Sequence, residues 1–409
     1  MKLTLTAFVS NSKARMSGVS LPDIESNRMS VKSGQAALAA RAVVFGCAGP
    51  VLTLEERAFF RESQPLGFIL FRRNVASPDQ VKNLVREMRA AVGREDAPVL
   101  IDQEGGRVAR LRPPHWPSHP AARRIGQLAE RAPAAGREAA WLNGRLLAAM
   151  LFDLGITVDC APVCDVPIPH AHDVIGDRAF GGDPQSVTEL ARATCEGFLA
   201  GGVLPVIKHI PGHGRAFTDS HQELPVVDAA RSELDVTDFV PFRGLADLPL
   251  GMVAHVVYRA IDPGRPASTS AAVIAGIVRD LLGFDGLLFS DDLSMGALWG
   301  APATRARDVL AAGCDVALHC NGDLAEMREI AAVVPVLDGI GAARWQRAVA
   351  TLHPPQPMVA AVLRERLDEL LQDSQPQGLA GDDDPTARGT LALALATGGA
   401  NHSAVLADP

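Results

Sequence analysis

One lysine, three histidines and an aspartate fall within fourteen residues of this 409-residue chain: Lys208-His209-Ile210-Pro211-Gly212-His213-Gly214, then Asp219-Ser220-His221. Side chains of these types move protons, grip oxygen-rich ligands or hold metals. The preceding run, 202–207, is apolar and reads as a short buried strand, while Pro211, Gly212 and Gly214 stop any helix. The polar groups therefore sit on a loop at the C-terminal end of a strand. His209 and His213 are four apart, a spacing that suits zinc only on a helix, so a metal site is disfavoured. Asp219 and His221 are two apart, close enough for the carboxylate to orient and charge the imidazole as an acid–base pair. A surface loop with satisfied histidines is the plainer alternative. It fits poorly with Lys208 and His209 abutting a buried run.

The same placement recurs elsewhere. The run 99–101 ends in Asp102-Gln103-Glu104, the run 287–289 in Ser290-Asp291-Asp292, and the run 252–254 in His255. A helix cap explains any one of these, Asp292 for instance. Four together point to polar residues gathered at the C-terminal ends of strands, where α/β barrels build their sites.

The elements that must position them are regular. Short apolar runs lie at 42–46, 66–71, 98–101, 155–160, 203–207, 250–254, 285–289 and 314–319, eight in all. Helical patterns separate them. Ser77-Pro78 opens one that carries Val81, Leu84, Val85 and Met88 on a single face. Asp183-Pro184 opens another with Val187, Leu190, Ala191 and Phe198. Eight strands alternating with helices over roughly 300 residues predict an α/β fold of the (β/α)8 TIM type. A doubly wound sheet is the alternative, but no Gly-x-Gly-x-x-Gly follows the first run. Residues 1–38 read as a disordered leader, 39–345 as one catalytic domain, 346–372 as a C-terminal helical extension and 373–409 as a disordered tail.

The Lys208–Gly214 stretch with Asp219-Ser220-His221, and Phe284-Asp285-Gly286 leading to Ser290-Asp291-Asp292-Leu293-Ser294-Met295, resemble glycoside hydrolase family 3. The likeness is to its bacterial β-N-acetylhexosaminidases of the single-domain, peptidoglycan-recycling type, and it covers roughly 42–335. It implies Asp291 as nucleophile and Asp219 with His221 as the acid/base dyad. Asp102 and Arg110 lie in a stretch similar to the family's Asp-Gln-Glu-Gly-Gly-Arg signature. They are implied as sugar-contacting residues, as are Arg178 in Ile175-Gly176-Asp177-Arg178 and the Lys208-His209 pair. The implied activity is retaining, exo-acting removal of GlcNAc from muropeptide fragments, with no cofactor and no metal. Runners-up are a β-glucosidase or a glycoside phosphorylase of the same family, and, from another class, a sugar-binding protein without catalysis.

Each implied role suits the residue. An ionised carboxylate at a strand end can attack an anomeric carbon. An imidazole beside Asp219 can carry the proton that a carboxylic acid of raised pKa usually supplies. Asp102 can accept hydrogen bonds from ring hydroxyls, and Arg178 and Lys208 can donate them. For Arg178, and in the same way for Arg110, an ion pair with nearby acids is nearly as good an explanation. The two glycines between Gly212 and Ser220 make that loop an expected mobile element.

The totals set limits. A net charge of −8 with 47% hydrophobic residues describes a globular protein and argues against nucleic acid or an anionic membrane surface as partner. No run reaches the ~18 apolar residues of a membrane span. Cys47, Cys160, Cys164, Cys195, Cys314 and Cys320 lie mostly inside apolar runs without paired spacing, which predicts buried thiols in a reducing compartment. The first nine residues imitate a signal peptide but no small-x-small cleavage site follows, and Met16 or Met29 is an alternative start. The expectation is a cytoplasmic monomer acting on a small carbohydrate.

Overall fold

Eight parallel strands close into one barrel, each hydrogen-bonded to the strand before and after it in the chain. They are β1 (Arg41–Phe45), β2 (Pro65–Leu70), β3 (Val99–Ile101), β4 (Val158–Asp159), β5 (Leu204–Ile210), β6 (Leu250–Val253), β7 (Leu287–Asp292) and β8 (Val316–His319). Each overlaps one of the eight apolar runs, and helices cover the outside. The computed structural model describes residues 40–220 and 223–372. The leader, the tail and His221 lie outside the described residues.

The strands are buried on both faces, as a helix-covered parallel barrel requires. All seven residues of β5 are buried, and so are the four of β6. β6 and β7 run in step from Leu250 opposite Leu287 to Val253 opposite Ser290. On its other side β7 slips by one residue against β8: Phe289 faces Val316, but Asp292 faces Leu318. β5 slips in the same way against β6 between Ile207 and Ile210.

Helix starts follow the sequence signals. Ser77 caps Pro78–Val92, and Asp183 caps Pro184–Ala200 with Ser186 N–H donating to its carboxylate at 2.8 Å. Thr53 and Glu56 form a reciprocal capping box on Leu54–Ser63. Each cap contributes about 1 kcal/mol. The predicted apolar faces of the first two helices are buried.

The C-terminal helix, Ala360–Leu371, packs on the barrel's own helices Pro133–Asp153 and Ala122–Arg131 and buries Leu367 and Leu371. Arg364 donates to His119 Nε2 at 2.9 Å, and Arg366 pairs with Glu138 at 2.7 Å. Among the described residues no helix is long and apolar enough to cross a membrane. All six cysteines are buried and none is in a disulfide.

Candidate active site

The C-terminal ends of the strands surround a pocket with about 710 Å³ of empty space, counted out to its open mouth. Asp102 after β3, Arg178 after β4, Lys208 and His209 in β5, and Asp291 at the end of β7 all line it. Five of the residues expected from sequence are thus brought together from four different strands.

A charge cluster forms one wall. Lys208 Nζ lies 2.8 Å from Asp102 Oδ1 and 2.6 Å from Glu104 Oε1. Arg178 grips both oxygens of Glu104 at 2.9 Å through Nε and NH2, and donates to Val174 O at 3.0 Å through NH1. Arg110 holds Asp102 Oδ2 at 3.0 Å. Burial alone would raise both carboxyls. Lys208 with Arg110 overcomes it and holds Asp102 well below the usual carboxylate range. Arg178 with Lys208 brings Glu104 down to about 2. Lys208 in turn is raised: burial disfavours its charge, but Asp102 and Glu104 more than compensate. All members are therefore ionised near neutrality.

The cluster leaves donor capacity on two residues that line the pocket. An ammonium has three donors and a guanidinium five. Lys208 spends two on carboxylates and Arg178 three on Glu104 and Val174, so one and two N–H groups remain. Arg178 thus satisfies both readings of its sequence context, as an ion-pair partner and as a pocket residue. Arg110 differs. It is wholly buried, it does not line the pocket, and its guanidinium stacks 4.9 Å above the Phe71 ring. Gln103 fixes the hairpin that carries it, accepting from Arg110 N and Leu111 N at 2.8 and 2.9 Å and donating to Leu111 O at 3.0 Å.

Across the pocket, Asp291 Oδ1 accepts from Asp292 N at 2.8 Å. Asp292 accepts from Ser294 N and Cys320 N, each at 3.0 Å, and ties the β7 end to the loop after β8. The next helix begins only at Pro302, so Asp292 is the last residue of β7 and not that helix's cap. His255 reaches over from β6. Its Nε2 donates to Asp292 O at 3.1 Å, and Nδ1 accepts from Ser268 Oγ at 2.6 Å. Burial lowers its pKa and keeps the ring neutral.

The loop after β5 is better anchored than its glycines suggest. Gly214 packs against Val166 so closely that a Cβ would fall on Val166 O, and Ile168 N donates back to Gly214 O at 3.3 Å. Arg215 pairs with Asp238 and Glu233, each at 2.6 Å, and Tyr258 Oη donates to Gly212 O. Within the loop from Gly212 to Ser220 that the sequence marks as mobile, residues 212–216 are fastened on several sides. Asp219 is buried outside the pocket lining, while the adjacent Ser220 lines it. His213 Nε2 lies 3.1 Å from Ser220 Oγ, and burial next to His209 pushes the His213 pKa down to about 4. His221 itself lies outside the described residues.

Sequence reasoning passed over Asp165 and the bracing role of Glu104, and weighed His213 only as a disfavoured zinc ligand. Asp165 sits in Pro162-Val163-Cys164-Asp165-Val166, the continuation of the fourth apolar run. A lone acid inside an apolar stretch at a strand end was the available signal.

The chain matches the model of the glycosyl hydrolase family 3 N terminal domain over residues 52–352. The Beta-hexosaminidase of Alkalilimnicola ehrlichii is 41% identical over 283 residues, covering 68% of this chain and 80% of its own. That of Thioalkalivibrio sulfidiphilus is 40% identical over 312 residues, covering 75% and 88%. Among solved structures, NagZ from Neisseria gonorrhoeae in complex with N-trifluoroacetyl-D-glucosamine superposes with a TM-score of 0.73 at 33% identity, covering 82% of this chain and 99% of that one. M tuberculosis LpqI gives a TM-score of 0.64 at 31% identity, covering 78% and 93%. The family match takes in seven of the eight barrel strands and every pocket residue named above, and the chain belongs to glycosyl hydrolase family 3.

Proposed function

We propose that this protein is a retaining exo-β-N-acetylglucosaminidase that removes GlcNAc from peptidoglycan-derived muropeptide fragments through a covalent glycosyl-enzyme. The observation that carries the reading is the shared pocket, in which Asp291 lies across from a set of ionised donors and acceptors suited to one sugar ring. The Beta-hexosaminidase relatives and the NagZ neighbour bound to a glucosamine derivative support the choice of sugar.

In the first step Asp291 attacks the anomeric carbon from below the ring while His221 gives its proton to the leaving oxygen. In the second, His221 takes a proton from water, which attacks the same carbon and releases the β product. Asp219 orients and charges the imidazole. Asp102 accepts from ring hydroxyls, Lys208 and Arg178 donate their remaining N–H groups, and His209 adds a further contact. Arg110 acts through Asp102, whose position and charge it maintains. Glu104 is no substitute for the acid: at a pKa of about 2 it is ionised and held by Arg178 and Lys208.

The barrel, 39–345, serves as the single catalytic domain and 346–372 as its helical extension. Buried thiols without a disulfide suit a reducing, cytoplasmic setting, and the enzyme acts as a monomer. Hydrolysis of aryl β-glycosides of GlcNAc, glucose and xylose, with and without phosphate, tests the assignment. GlcNAc should be released far faster than the others, independently of phosphate, and first as the β anomer. Preference for glucose, or a glycosyl phosphate product, would overturn it.

A further inference from the structure

Asp165 is completely buried on the loop after β4, and the mechanism above does not use it. Its Oδ2 lies 2.7 Å from His209 Nδ1, while Oδ1 accepts from the backbone N–H of His209 at 3.2 Å and of His213 at 2.7 Å. The loop reaches β5 because the chain beyond β4 goes on pairing with it. Val163 bridges Lys208 in parallel, and Cys164 N donates to Lys208 O at 2.7 Å. Burial would raise the Asp165 carboxyl, but His209 and the His213 amide lower it further, so it is ionised.

An ionised carboxylate only accepts, so His209 Nδ1 carries the hydrogen in that contact. The opposite ring nitrogen, Nε2, has no partner among the described residues, and His209 lines the pocket. A histidine whose one nitrogen is fixed by a carboxylate presents the other in a defined state and direction.

We propose that Asp165 is a positioning residue for sugar binding. It fixes the hydrogen of His209 on Nδ1 and turns Nε2 to a ring hydroxyl of the sugar in the pocket. Asp165 touches no substrate; its effect passes through His209. The inference rests on the glycosidase reading, and the competing explanation is that Asp165 merely holds two backbone amides.

Asp165→Asn separates the two. Its Oδ1 keeps accepting from the amides of His209 and His213, while its NH2 group turns on Nδ1 and drives the hydrogen to Nε2. Steady-state rates on an aryl β-GlcNAc are compared for the wild type, D165N, H209Q and the double variant. D165N should lower kcat/KM by about 10- to 100-fold, mostly through KM, and should add less than about twofold in the H209Q background. Multiplying effects, or D165N within about twofold of the wild type, would overturn the proposal. A readout independent of variant folding is histidine 15N NMR of the wild-type protein. The His209 signals should show hydrogen on Nδ1, and Nε2 should shift when GlcNAc is added; a bare Nδ1, or no shift, contradicts the proposal. If the wild type hydrolyses no aryl β-GlcNAc, the glycosidase reading fails instead, while the tautomer measurement still judges Asp165.

Discussion

Lys208 and His209 are adjacent in β5, yet both line the pocket. Neighbours on a regular strand point to opposite faces. The one-residue slip of β5 against β6 between Ile207 and Ile210 spans these two positions, and the peptide joining them is cis. β7 repeats the device: it slips against β8 between Phe289 and Asp292, and Asp291 and Asp292 both face the pocket. Two bulged strands separated by β6 thus carry the nucleophile candidate and two of the candidate sugar contacts.

The Asp102–Lys208–Glu104–Arg178 cluster makes stability depend on acid. A carboxylate whose folded pKa is depressed contributes stability that is present above its unfolded pKa and lost as pH falls through the folded value. For Glu104 the window runs from the ordinary 4.5 down to about 2, worth about 3 kcal/mol. Glu104→Gln should flatten the pH dependence of urea unfolding within that window. It should also cost about 3–5 kcal/mol at pH 7, because Arg178 and Lys208 lose a buried partner. An unchanged slope between pH 4.5 and 2 would show that Glu104 is not held as described.

The barrel was legible from sequence because each buried strand is an apolar run and each major break carries Pro, Gly or a capping residue. The site was legible where polar residues directly follow those runs, as Asp102, Lys208 and Asp291 do. The bulges were not, since a one-residue slip is a relation between two strands and leaves no mark in either alone. Asp165 escaped because its partner His209 is 44 positions away. Arg110 shows another limit. Its sequence context left a sugar contact and a structural ion pair both open; the fold adds the ion pair, with Arg110 buried between Asp102 and Phe71.

The close packing of Gly214 yields a stability prediction. Gly214→Ala places a Cβ on the Val166 carbonyl, where backbone on both sides resists, and should cost about 1–3 kcal/mol in thermal or urea unfolding. Gly49→Ala meets nothing within 4 Å and should stay within about 0.5 kcal/mol of the wild type. Equal behaviour of the two variants would contradict the anchoring of residues 212–216.

The acid/base assignment predicts a dependence on leaving group. With a sugar leaving group, His221→Ala should slow glycosylation by about 10²–10⁴-fold. With an activated aryl group, which departs unaided, the first step should change little and the second should become limiting. Azide, which needs no general base, should then accelerate the aryl reaction of His221→Ala. Equal losses on both substrates without azide rescue would assign the role elsewhere.

The central claim is that Asp291 forms a bond to the sugar. A fluorinated GlcNAc donor with a good leaving group slows the second step and allows the intermediate to accumulate. Peptide mass spectrometry of the trapped protein should find one glycosyl group on Asp291, and Asp291→Ala should remain folded, take up no label and lose about four orders of magnitude or more in kcat. A label on Asp292, or none on a protein that still turns over the unfluorinated substrate, would contradict the account.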